Sequence, residues 1–118
     1  MPESAFSATV SLRDGVPVLA LHGDINGLAE PELNPAFAQA MSHDPATVLL
    51  NFGDVSYINS TGIALIVGLL AQARKSRATV LVCGLSEHYR HIFSITRLAD
   101  FMSIHEDEAA ALSQAATT

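Results

Sequence analysis

Two apolar runs, Thr47–Phe52 and Thr79–Cys83, constrain this chain more than any other feature. Each is long enough for a strand and too short for a helix. Neither alternates apolar with polar, so each reads as a strand covered on both faces. Strands of that kind belong to a parallel sheet flanked by helices. The segment between the runs supplies one, because apolar residues recur at helical spacing from Ser60 to about Ser76.

The rest of the chain extends this pattern. Phe6–Leu12 alternates like a strand with one solvated face, Asp14-Gly15 signals a hairpin turn, and Val16–Leu21 returns as its antiparallel partner. Gly23-Asp24-Ile25-Asn26-Gly27 reads as a loop. Leu33, Phe37, Ala40 and Met41 then repeat at helical spacing. Pro31 suits a first helical turn, whereas Pro35 predicts a late or irregular start. Further on, a helix is predicted over Glu87 to about Arg97 with Ser86 as its N-cap. A short strand follows at Met102–His105, then a last helix over Glu106–Gln114 with acids in its first turn. Strands alternating with helices imply right-handed crossovers and a largely parallel sheet. The expected fold is one α/β domain over residues 1–118, its core about 6–112, with a mixed, mostly parallel sheet of about five strands packed with four helices. Strands near Val18, Leu49 and Leu81 should be central neighbours, with Leu50, Val67 and Leu70 in the core.

Composition narrows the function. Hydrophobic residues make up 49% and charged residues 15% of 118, so the chain can bury one real core. Its net charge is −6, and the only basic cluster is Arg74, Lys75 and Arg77. Nucleic-acid binders present a basic face to phosphates, so direct nucleic-acid partners are not expected, and neither is an anionic membrane. The start Met1-Pro2-Glu3-Ser4 has no basic-then-apolar leader, and Ile63–Ala71 is too short to span a bilayer, which predicts a soluble, cytoplasmic protein. Cys83 is the single cysteine, read as a small core residue. His88 and His91 lie one helical turn apart without a third ligand type at metal-site spacing, and read as surface histidines. Phosphate-loop, GxSxG and HExxH patterns are missing. No catalytic residue, cofactor or metal is assigned. Asn59-Ser60-Thr61 fits a glycosylation sequon, which has no meaning without a secretory signal.

The helix after Asn59 carries the functional signal. Ile63, Ile66, Val67 and Leu70 form one apolar stripe, with Leu65 and Leu69 off it. Two readings stay open: a helix sandwiched in the core, or a partner-binding patch containing Leu65 and Leu69, with Ile63 beside them. At its start, Ser60, Thr61 and Gly62 are small. A helix N-terminus presents free N–H groups and a partial positive charge, which accept a phosphate. Gly62 is expected to leave room for another molecule to reach the Ser60 hydroxyl. The plainer alternative is that Asn59 or Ser60 is only an N-cap.

Three motifs in order resemble the STAS family, and in particular bacterial anti-sigma factor antagonists. They are Gly23-Asp24-Ile25-Asn26; Val48 to Val55 followed by Ile58-Asn59-Ser60-Thr61-Gly62-Ile63; and Ile95-Thr96-Arg97-Leu98-Ala99-Asp100-Phe101. The resemblance runs from about Val10 to Leu112. It implies a non-enzymatic switch. Such antagonists bind an anti-sigma factor that is also a serine kinase, free a sigma factor, and are released when the kinase phosphorylates their serine. The matching serine is Ser60, with Thr61 as the alternative acceptor and Asp24, Asn26, Asn59 and Gly62 around it. The chain departs from the pattern by carrying asparagine at 26, 51 and 59 where similar proteins carry acids. Asparagine keeps capping geometry and loses the charge. The second function class is a STAS scaffold or ligand-sensing subunit that is never phosphorylated.

Overall fold

A computed structural model describes residues 6–116. Five strands form one sheet in the order β1-β2-β3-β4-β5: Ser7–Arg13, Val16–His22, Thr47–Asp54, Thr79–Cys83 and Ser103–His105. β1 and β2 are an antiparallel hairpin, and every other pairing is parallel. Asp14 and Gly15 both take positive φ (55° and 80°), the conformation that a tight hairpin of right-handed twist requires. Val18 pairs with Leu49 and Leu49 with Leu81, so the three expected central strands are neighbours in register.

Four helices follow the strands in turn: α1 (Glu30–Met41), α2 (Ser60–Lys75), α3 (Glu87–Ile95) and α4 (Glu108–Ala116). Successive residues of the central strands point to opposite faces, and both faces are buried. Leu50 and Phe52 face α1, α2 and α3, where they meet Phe37, Ile66, Leu69 and Phe93. Leu49, Leu81 and Cys83 face α4, where Ala111 and Leu112 cover them. Phe52 and Phe93 meet edge to face, 6.1 Å between centroids.

Several expectations need correction. α1 does not start late: it runs unbroken through the exposed Pro35, after a 3-10 turn at Gly27–Ala29. Pro35 is the sixth residue of α1, past the free N–H groups of the first turn, so the helix forgoes one hydrogen bond there, to the Pro31 carbonyl, and continues regardless. The last helix begins at Glu108 rather than Glu106, because Asp107 caps it by accepting the Ala110 N–H at 2.9 Å. It continues past Leu112 to Ala116, and Ala115 packs on the α4-side core. Val67 is not core: it is 45% exposed. The buried face of α2 is Gly62, Ile66, Leu69, Leu70 and Ala73. That is also a regular helical stripe, and an apolar residue next to it in sequence cannot be told from one on it by periodicity alone.

Candidate functional site

The loops after β2 and β3 leave the carboxyl end of the sheet side by side, and the Asn59–Gly62 turn rises from the second. Asn59 has extended backbone (φ −91°, ψ −177°) and its Oδ1 accepts the Gly62 N–H at 2.8 Å, a true N-cap. Ser60 is therefore the first helical residue, and it is exposed. No acid lies in the first turn of α2, so the positive end of the helix dipole is not neutralised from within the helix.

Three backbone hydrogen bonds stitch the two loops together: Gly23 N–H to Asp54 (3.1 Å), Ile25 N–H to Tyr57 (2.9 Å) and Asn59 N–H to Ile25 (3.1 Å). Ile25 and Ile58 form an isolated parallel bridge, and both are buried. From the other side, the buried Tyr89 hydroxyl accepts the Ile58 N–H (2.8 Å) and donates to the Ile58 carbonyl (3.3 Å). This phenol ties the turn to α3, whose own N-cap Ser86 accepts from Tyr89 N–H. The serine is thus displayed on backbone fixed from three directions.

Gly62 has a different role from the one its sequence suggested. It is buried, and a Cβ there would stand 2.0 Å from the Ile25 carbonyl oxygen. Its missing side chain admits the chain's own loop rather than a visiting molecule. Asn26 caps the 3-10 turn, accepting the Leu28 N–H at 2.9 Å. Asp24 accepts from Ser56 Oγ at 3.4 Å. Thr61 borders that turn, 3.4 Å from where a Gly27 Cβ would sit. Asp24, Asn26, Asn59, Ser60, Thr61 and Gly62 therefore occupy one end of the molecule. Asn51 does not join them. It points to the α4 face, donates to Glu108 Oε2 at 2.7 Å and accepts the Gly53 N–H at 2.8 Å. Glu108 also holds Arg13 at 2.8 Å. An acid at 51 would face the Glu108 carboxylate, so the amide suits its local partner.

The proposed apolar partners on α2 divide. Leu69 is 1% exposed and belongs to the core. Ile63 and Leu65 are half-buried and pack against that core. The strongly exposed apolar groups at this end are Leu28 (86%) and Tyr57 (53%), one in each stitched loop. Sequence reading missed both. The available signal was a large apolar residue lodged in a glycine-rich loop, where no periodic face could absorb it. Tyr89 was missed as well, although a tyrosine one helical turn before a buried Phe93 is placed to carry its hydroxyl inward.

Among the described residues, no group of three or more His, Cys, Asp or Glu could hold a metal ion. Burial pushes the Cys83 thiol up to about 11, with the Glu108 and Asp107 carboxylates adding to the effect. A thiol held neutral in this way is a poor nucleophile. No helix among the described residues is long and apolar enough to cross a membrane.

A hairpin-led parallel sheet, three helices on one face, one on the other, and a capped serine turn at the carboxyl end of the strands define a class of small α/β domain. Residues 7–111 match the profile of the STAS domain, and the chain belongs to that family. Among curated proteins it is similar to an anti-sigma-B factor antagonist of Staphylococcus epidermidis, 31% identical over 84 residues that span 71% of this chain and 78% of that one. Among solved structures it resembles an anti-sigma factor antagonist from Mycobacterium paratuberculosis (TM-score 0.82, 18% identity, 96% of each chain covered). It also resembles the phosphorylated form of the Bacillus cell fate determinant SpoIIAA (TM-score 0.71, 18% identity, 92% of this chain and 99% of that one).

Proposed function

We propose that this chain is an anti-sigma factor antagonist, a cytoplasmic protein without catalytic turnover of its own. It binds an anti-sigma factor with serine kinase activity, frees a sigma factor, and is switched off when the kinase phosphorylates Ser60. The observation that carries the reading is Ser60 itself: an exposed hydroxyl at the first position of a 16-residue helix, on a fixed turn, with exposed Leu28 and Tyr57 in the two loops stitched together at that end. Family membership and similarity to a curated antagonist support the same role. The partner surface comprises Leu28, Tyr57 and the exposed parts of Ile63 and Leu65 around that hydroxyl.

Two electrostatic effects compete once a phosphate is added. The group carries roughly −1.5 to −2 charges at neutral pH. Within the domain, the α2 dipole favours it by about 0.3–1 kcal/mol, so the fold survives. At the interface, the charge must shed water against Leu28 and Tyr57. An unpaired charge in a buried contact costs several kcal/mol, and about 1.4 kcal/mol is already tenfold in affinity. The interface effect is larger, so the partner leaves and the domain stays folded.

The test is to measure affinity for the purified anti-sigma factor, and thermal stability, for Ser60→Ala and Ser60→Asp. Ser60→Ala should bind and resist the kinase. Ser60→Asp, with one charge rather than nearly two, should bind more weakly at unchanged stability. Equal affinity of the two variants, or loss of binding through unfolding, would replace the switch with a STAS scaffold or ligand-sensing subunit that is never phosphorylated.

A further inference from the structure

The far end of α2 presents a second surface. Val67, Leu70 and Ala71 of the helix face Leu98 and Phe101 of the 3-10 turn Leu98–Phe101 across an apolar groove of about 220 Å³. Val67 and Phe101 are 45% and 51% exposed. Beyond Phe101 the groove widens into a depression of about 440 Å³ bordered by Arg74 and Arg77. Arg74 lies over the Phe101 ring, 5.7 Å from its centroid.

Charge is distributed unevenly about this groove. The chain carries −6 overall, yet Arg74, Lys75 and Arg77 place half of its six Lys and Arg residues at this one corner. None of the three has an acidic partner among the described residues. The acid in the depression, Asp100, is already held by Arg97 at 2.7 Å. Two of these arginines also stand where the backbone favours another residue. Arg77 (φ 60°) and Arg97 (φ 67°) are the left-handed residues that close α2 and α3, positions at which glycine is the strain-free choice. The Arg77 closure is complete, with Ala78 N–H bonded back to Ala73 at 2.8 Å. Strain accepted at the end of α2, for a guanidinium that borders the depression next to this groove, points to a role for that charge, whereas Arg97 is spent on Asp100.

We propose that this groove docks an acidic amphipathic helix of a second protein, its apolar stripe on Val67, Leu70, Leu98 and Phe101 and its carboxylates on Arg74 and Arg77. The site is distinct from Ser60: counted along α2 at the helical rise per residue, Val67 lies about 10 Å and Arg74 about 21 Å beyond it.

The probe is a synthetic peptide of about four helical turns with leucine at i, i+3, i+4 and i+7 and glutamate between, titrated into the full chain. Backbone amide shifts should move at Val67, Ala71, Arg74 and Phe101 and stay still at Ser60. Arg74→Glu/Arg77→Glu should weaken the peptide at least about tenfold, and a version with lysine in place of glutamate should bind that variant and not the wild type. Val67→Ser, at an exposed position, provides a second loss-of-binding variant should the double reversal disturb the helix end. The proposal is overturned by saturation-free titration at millimolar peptide or by shifts centred on Ser60. It is equally overturned if phosphatidylglycerol vesicles bind where the peptide does not, or if the same substitutions dissociate a dimer of this chain. Loss of anti-sigma factor binding by Ser60→Asp with peptide binding intact would separate the two sites.

Discussion

Gly62 and Gly68 lie on the same helix, and the structure assigns opposite consequences to the same substitution at each. An alanine Cβ at 62 would meet the Ile25 carbonyl oxygen at 2.0 Å, its carbon at 2.8 Å and Ile58 Cγ2 at 3.0 Å. The obstacle is backbone and cannot swing aside. Relief requires the Asp24–Asn26 loop to retreat, which breaks the 3.1 Å bond from Asn59 N–H to Ile25. Leaving that pair unsatisfied costs about 1–3 kcal/mol, and the overpacking adds about 1–3 kcal/mol. The gain in helix propensity offsets at most about 1 kcal/mol. Gly62→Ala should therefore destabilise by roughly 1–5 kcal/mol. At Gly68 nothing lies within 4 Å of the added methyl, so Gly68→Ala should stabilise by about 0.5–1 kcal/mol from propensity alone. Urea denaturation followed by circular dichroism, with equal m-values as the check on two-state unfolding, reads both. A Gly62→Ala protein as stable as wild type would refute the close approach of loop and helix on which the placement of Ser60 rests.

Leu50→Ala, at a fully buried position, should cost about 2–5 kcal/mol in the same assay, and a smaller loss would mean that the sheet face is not packed as described. Asn59→Asp keeps a capping oxygen, so its stability should stay within about 0.5 kcal/mol of wild type. It should be phosphorylated at Ser60 at least as fast, as followed by radiolabel transfer from the kinase, and a much slower rate would show that the amide at this position helps the kinase. Cys83 titrates near 11 in the folded chain against an ordinary value of 9.0, so the native state retains the proton longer than the unfolded state. Its contribution to stability is full below about pH 9 and is lost as pH rises towards 11. Cys83→Ala should show a shallower decline over that window, and an unchanged slope would assign the pH dependence to other groups.

The sheet was legible because its signals are local and redundant. The runs Thr47–Phe52 and Thr79–Cys83 carry apolar residues on both faces, the Asp14-Gly15 turn signals a hairpin, and helical spacing marks the segments between. The N-cap role of Asn59 was equally legible, since residue type and helix start coincide. What escaped depended on contacts between segments distant in sequence. Gly62 looked like an opening because the loop that fills it comes from Ile25. Val67 looked buried because two overlapping apolar stripes run along α2, and only the packing partners on the sheet decide between them. Asn51 was legible only as a departure from the family's acid, since its partner Glu108 comes from a helix 57 residues away. Leu28 and Tyr57 carry no periodic signal at all.

The two ends of α2 are close to electrically independent. The dipole's effect on a charge is confined to the first turn, and ionic screening at physiological salt falls off over about 8 Å. Ser60 and Arg74 are separated by about 21 Å of helix, well beyond both lengths. A phosphate on Ser60 could reach the groove only mechanically, by sliding the helix. Ile66, Leu69, Leu70 and Ala73 are locked into the sheet along the intervening turns, and Asn59 and Tyr89 hold the start of the helix in place. Close-packed interiors resist such sliding. On the proposed switch, phosphorylation would act as a local veto on one interface rather than as a change of shape. A helix seated against Val67 and Phe101 would remain bound while the partner at Ser60 departs, which lets the same small domain stay attached at one end while it cycles at the other.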